Sequence, residues 1–189
     1  LGGNSLSDLL VFGRRAGMHA AKFAKENAAG KIHEDQIDAA AKSALSPFDR
    51  GPSGENPYQI QRDLQEMMQD LVGIVRRETE MKTAIDKLGG LKSRSERVGV
   101  DGNREYNPGW NTAIDLANLL TVSEAIARAA VERKESRGGH FRDDYPAKSE
   151  EFSKFNILIR KGDDGAMQVV RQPIAELRAD LKQIIEENK

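Results

Sequence analysis

The chain has 189 residues, with 29 Lys and Arg against 30 Asp and Glu and a net charge of -1, so no excess of positive charge draws it to nucleic acid or to an anionic membrane surface. Cysteine is absent, which removes disulfides, thiolate chemistry and cysteine-held zinc or iron–sulfur sites from this polypeptide. No apolar run approaches the roughly 20 residues that cross a bilayer, and the opening lacks the pattern of a secretory signal; any membrane association is expected to come through partners.

The first six residues, LGGNSL, place two glycines, an asparagine and a serine ahead of a run in which Leu6, Leu9, Leu10, Gly13, Ala16, Gly17, Ala20 and Ala24 recur every three or four positions. That is a tight turn feeding a helix. Ser5 and Asp8 have the spacing of a capping box, and Asp8 complements the positive end of the helix dipole, so the helix is expected to start near Ser5. Glycines before a helix start let a ligand approach the backbone, and the free amides there attract negative charge. A plain capped turn is the commoner use of the same pattern. Gly13 and Gly17, four apart, suit close approach to a neighbouring helix or simple packing.

Gly30 can end that helix, and His33 to Leu45 carries Ile37, Ala40, Ala41 and Leu45 at helical spacing. From Ser46 to Pro57 the segment SPFDRGPSGENP collects three prolines and two glycines, which is loop chemistry and a domain boundary. Tyr58 to Leu91 shows a stripe of Ile60, Leu64, Met67, Met68, Leu71, Val72 and Val75, then Met81, Ile85 and Leu88, read as one long or two consecutive helices bent at Gly73 and interrupted at Gly89 and Gly90. Asn111 to Arg133 is the next helical stretch. Amphipathic helices joined by connections of modest length predict an antiparallel bundle. Met67, Met68 and Met81 read as flexible core fillers, and Trp110 and Tyr106 are expected to pin their loop onto the bundle. His19 and His33 have no second histidine at i+3 or i+4, so no metal ligand set is read here.

In RKESRGGHFRDDYP, Arg133 to Pro146, a helix stops at Gly138 and Gly139 and is followed by His140, Arg142, Asp143 and Asp144. A histidine between an arginine and two aspartates suits general acid or base chemistry; a hydrogen-bonded surface histidine is the commoner outcome. Beyond Pro146, Phe155, Ile157 and Ile159, then KGDDG, then Met167, Val169 and Val170 give a hairpin signal closed by Pro173. Ile174 to Glu187 returns to helical spacing with Leu177, Leu181, Ile184 and Ile185. Basic residues interleaved with acids and no aromatic ladder speak against nucleic acid.

LGGNSLSDLLVFGRRAG and ESRGGHFRDDYP together resemble two segments of the succinate dehydrogenase and fumarate reductase flavoprotein subunits, the second departing from the usual pattern only in Gly139 for alanine. The resemblance covers essentially the whole chain. It implies a mainly α fold: the last helix of an FAD-binding domain (residues 1–50), an antiparallel, spectrin-repeat-like three-helix bundle (51–146), and a C-terminal tail with a small hairpin and helix (147–189). By the same resemblance Ser5, Leu6 and Asn4 contact the flavin of a covalently held FAD, Gly3 lies in the turn beneath the dicarboxylate, and Arg137 and His140 have structural and interface roles. The family's catalytic arginine stands just before the leucine that is Leu1 here. The catalytic residues are therefore expected upstream of Leu1, none in the chain itself, and no glycine-rich dinucleotide fingerprint is present to hold the pyrophosphate.

The function so implied is that of the C-terminal portion of an oxidoreductase interconverting succinate and fumarate, inactive by itself. Its partners are an iron–sulfur subunit and, through it, membrane anchor subunits, giving a cytoplasmic protein peripheral on the inner face of the cell membrane. An L-aspartate oxidase shares both motifs, and a non-catalytic helical module docking an iron–sulfur subunit is a further alternative.

Overall fold

The computed structural model describes residues 5–188, and the chain divides into two compact units, Leu1–Ser43 and Ala44–Lys189. In the first, α1 (Ser5–Glu26) is followed by the opening turns of α2 (Glu34–Arg50). Helix α1 buries no residue: Leu6, Leu9, Leu10, Phe12, Met18 and Phe23 are all more than half exposed. Nothing lies within 4 Å of where a Cβ on Gly13 or Gly17 would sit. The helix stops before Gly30, which lies in the connection to α2.

The second unit is built on α3 (Pro57–Val72), α4 (Glu78–Ser95) and α5 (Pro108–Glu132), which pack against one another in pairs. This is the expected mainly helical bundle. Ile60, Leu64, Met67 and Val72 of α3 meet Met81, Ala84, Leu88 and Leu91 of α4 and Leu116, Leu120, Ala127 and Ala130 of α5. Val98 and Val100, from the α4–α5 connection, close one end of this core. Met67 and Met81 are buried and Met68 packs beside them, the filling role that a flexible thioether suits.

Asn56 starts α3 by accepting from the Tyr58 and Gln59 amides at 2.9 and 3.4 Å, with Pro57 in the first turn, where its missing donor costs nothing. Asn107 does the same for α5 through the Trp110 amide at 3.0 Å. Gly73 follows the end of α3, at a position where a Cβ would lie 2.4 Å from the Gln69 carbonyl oxygen.

Between α3 and α4, β1 (Val75–Arg76) pairs in parallel with β2 (Phe141–Arg142), Val75 opposite Phe141 and Arg76 opposite Arg142. A hairpin of β3 (Phe155–Lys161) and β4 (Met167–Pro173), antiparallel with Leu158 opposite Val170, packs on α5. Helix α6 (Ala179–Glu187) exposes Leu181, Ile184 and Ile185.

Five local expectations are corrected. Helix α5 ends at Glu132, not at Gly138 and Gly139, with Arg133 already in extended backbone. Ser46 to Arg50 is helix, not loop: α2 runs through Pro47 because Pro47 is buried and accepts from the Val100 amide at 3.0 Å, while Phe48 meets Trp110 with ring centroids 5.3 Å apart. Gly89 and Gly90 do not interrupt α4, which continues to Ser95; each glycine costs roughly 1 kcal/mol in a helix interior, less than burying the flanking Leu88 and Leu91 returns at about 1.5–3 kcal/mol apiece. Trp110 holds its loop through an indole bond to the Ala44 carbonyl at 2.7 Å, but Tyr106, at φ 51°, is 99 % exposed and pins nothing. The last helix starts at Ala179 rather than Ile174, whose amide is held by the Lys154 carbonyl at 2.9 Å.

Candidate functional site

Of the residues expected to meet a flavin, Ser5 and Leu6 stand at the described start of α1, and Gly3 and Asn4 lie outside the described residues. Both Ser5 and Leu6 are exposed. Among the described residues no group of three or more His, Cys, Asp or Glu gathers that could hold a metal ion.

The chemistry of the second unit concentrates in the segment from Arg133 to Tyr145. Arg142 is wholly buried. Its Nε and Nη2 donate to the two oxygens of Asp144, each at 2.7 Å, and its Nη1 donates to the carbonyls of Ala130, Val131 and Arg133 at 2.9, 3.2 and 3.2 Å. The guanidinium thus satisfies the last carbonyls of α5, where a cation also meets the negative end of the helix dipole. Its bond to Arg142 holds the Asp144 carboxyl down to about 2, against the opposing effect of burial and with help from the Glu78 amide.

Glu135, also wholly buried, accepts from Arg137 Nε at 2.9 Å, Arg133 Nη1 at 2.6 Å and the Ser149 amide at 2.8 Å. The Arg137 bond leads in bringing its carboxyl to about 2, ahead of burial, which opposes it, and of the other two bonds. His140 is half-buried, with Nδ1 3.0 Å from Arg76 Nη1 and Nε2 3.0 Å from the Arg133 carbonyl. A guanidinium only donates and a carbonyl only accepts, so these partners assign the neutral ring with its proton on Nε2. Burial is the leading cause that lowers the His140 pKa; the Arg133 carbonyl opposes it, and the charges of Arg76, Arg142 and Arg133 add to it.

Each of these groups is saturated. Both nitrogens of His140 are committed to protein partners, which leaves neither free to move a proton to a ligand. The cluster instead ties the α3–α4 junction to the end of α5: Asp143 receives Arg77 Nε at 2.8 Å and its amide donates to the Arg76 carbonyl at 2.9 Å. Arg137 and His140 are accordingly held by hydrogen bonds within the chain.

Sequence reasoning passed over the buried partners. Glu135 and Arg76 looked like ordinary charges, and Arg142 was singled out only as a neighbour of His140; for Glu135 and Arg142 the signal was a dense run of alternating charge beside a glycine pair, since such a run at a helix end has orphan carbonyls to satisfy, while Arg76 lies outside that run. A second buried carboxylate, Glu124 on α5, pairs with Lys92 of α4 and with Arg128 at 2.6 Å and had no local signal at all.

Among the described residues no helix is long and apolar enough to cross a membrane. A family model described as "Fumarate reductase flavoprotein C-term" matches residues 61–183. The chain is similar to the fumarate reductase flavoprotein subunit of Haemophilus influenzae, 33 % identical over 178 residues, covering 92 % of this chain and 29 % of that protein. Among solved structures it is similar to the Mycobacterium smegmatis Sdh1 complex in the apo form, at 45 % identity and a TM-score of 0.87, over 96 % of this chain and 31 % of that one. An E. coli quinol fumarate reductase follows at 30 % identity and a TM-score of 0.82, over 94 % and 32 %. The chain therefore spans less than a third of the length of the relatives it matches. The family model over residues 61–183 and the overlap with these proteins place the chain in the fumarate reductase and succinate dehydrogenase flavoprotein family.

Proposed function

We propose that this chain is the C-terminal portion of a flavoprotein subunit that interconverts succinate and fumarate and passes electrons from FAD to an iron–sulfur subunit, which connects it to membrane anchor subunits on the inner face of the cell membrane. The functional division is an end of the FAD-binding domain at residues 1–50, a helical domain at 51–146 and a tail at 147–189. The observation that carries the proposal is α1: an amphipathic helix with no buried residue, whose apolar face and N-terminal amides belong against a flavin domain on further polypeptide.

The residues present fit one end of the cofactor only. Ser5 and Leu6 are exposed at a helix start, so a flat ring edge can reach the first-turn amides, and with Asn4 they would hold the flavin while Gly3 borders the dicarboxylate. Bound FAD supplies the acceptor for hydride from the substrate. The chain's own contribution is a fixed positive potential at the helix start. No catalytic side chain is assigned to these residues.

Two measurements test this. The isolated chain should retain no flavin and oxidise no succinate. In the complete subunit, Leu6→Asp should lower the flavin midpoint potential by about 20–40 mV, the two-electron equivalent of 1–2 kcal/mol at a helix terminus. A yellow, active isolated chain, or an unchanged potential in the variant, would overturn it.

A further inference from the structure

The loop from Asp101 to Asn107, between the buried Val100 and α5, holds an Asp–Gly pair in an unusual relation. The Gly102 amide nitrogen lies 2.7 Å from Oδ1 of Asp101, its own neighbour, and Gly102 adopts φ 88°. Nδ2 of Asn107 donates to the Asp101 carbonyl at 2.9 Å and to the Asn103 carbonyl at 2.8 Å, while its Oδ1 caps α5. Asp101 and Gly102 are both exposed to water.

We infer that Asp101–Gly102 is a self-modification site, at which the chain converts Asp101 to isoaspartate with water as the only co-reactant. The Gly102 nitrogen attacks Cγ of the Asp101 carboxylic acid, forming an N–Cγ bond; the Cγ–OH bond breaks, and the hydroxyl leaves with the amide proton as one water. Water then adds to the α-carbonyl of the resulting succinimide and breaks its bond to nitrogen. The main chain now runs through Cγ, and the α-carboxylate becomes the side group. The positions are suited to this. The nucleophile already lies against the carboxyl group, glycine puts no side chain in its way, and the Asn107 donor stabilises the negative charge that gathers on the Asp101 carbonyl oxygen as the amide gives up its proton.

The chain carries its own control. Asp164–Gly165, in the β3–β4 turn, is the same dipeptide and is also exposed. Its Gly165 amide donates to the Gly162 carbonyl at 2.9 Å, and Oδ1 of Asp164 accepts from the Ala166 amide at 3.0 Å. Attack at that site must first break both bonds, whereas the Gly102 amide is bonded to the very carboxyl it attacks, so the Asp164 site should be slower by at least about fivefold.

The test is peptide mapping of the 189-residue chain aged at neutral pH, with isoaspartate located by fragmentation that separates the two isomers and counted by protein isoaspartate methyltransferase labelling. Isoaspartate should accumulate at Asp101 at least about five times faster than at Asp164. Asn107→Asp keeps the oxygen that caps α5 but removes the donor to Asp101, and should slow the reaction several-fold. Asp101→Glu should abolish it at that position. Equal rates at the two dipeptides, no isoaspartate at Asp101, or an unchanged rate in Asn107→Asp would each overturn the inference.

Discussion

Replacing Arg142 by alanine should be among the most damaging single changes in the helical unit. The side chain is wholly buried, so truncation leaves a void, strips Asp144 of its two 2.7 Å bonds and leaves the carbonyls of Ala130, Val131 and Arg133 without this donor. Breaking one side of a buried ion pair costs about 3–5 kcal/mol. For a chain of this size each kcal/mol moves the melting temperature by about 2–4 °C, which gives a fall of about 6–20 °C. Arg142→Lys keeps the charge but replaces a planar fork with one ammonium, which cannot serve a carboxylate bidentately and three carbonyls together; it should lose about half as much. Thermal unfolding followed by circular dichroism reads both. In the double variant Arg142→Ala, Asp144→Ala the losses should fall short of their sum by about 1–3 kcal/mol, because the second change removes a group already left without its partner. Additive losses, or a fall below about 2 °C for Arg142→Ala, would refute the view that this pair closes the end of α5.

Stability should decline with acid in two steps. As pH falls below 6.5, unfolded histidine takes up a proton that His140 resists, so the folded state loses ground; His140→Gln, which presents one donor and one acceptor without titrating, should flatten that step, and a profile identical to the parent's would refute the assignment. Glu135 and Asp144 stay ionised to about 2 in the fold, so their stabilisation is complete above ordinary carboxylate values of 4.5 and 3.8 and disappears as pH approaches 2. Gly99→Ala would put a Cβ 2.0 Å from the Gly51 carbonyl oxygen and 2.8 Å from Gly54 Cα, and should cost about 1–3 kcal/mol in denaturant titration. Gly89→Ala meets nothing within 4 Å and should stabilise by about 0.5–1 kcal/mol; a loss at Gly89, or none at Gly99, would contradict these placements.

By itself, the sequence determined the helices whose apolar spacing is long and regular, the hairpin around Asp163 and Asp164, and the family, through LGGNSL and ESRGGH. These are local properties: a 3.6-residue stripe or a glycine turn is written in neighbouring residues. What only the tertiary structure decided depends on groups far apart in sequence. Helix α2 survives Pro47 because Val100 and Trp110 reach back to it, and α4 survives two glycines because the leucines beside them are buried. Tyr106 faces water although its composition suggested an anchor. Arg76 reached His140 because β1 and β2 pair residues more than sixty positions apart. Burial turns such charges from solvated ions, each free to choose water, into groups that must find one another, and no local pattern records which partner the fold will bring.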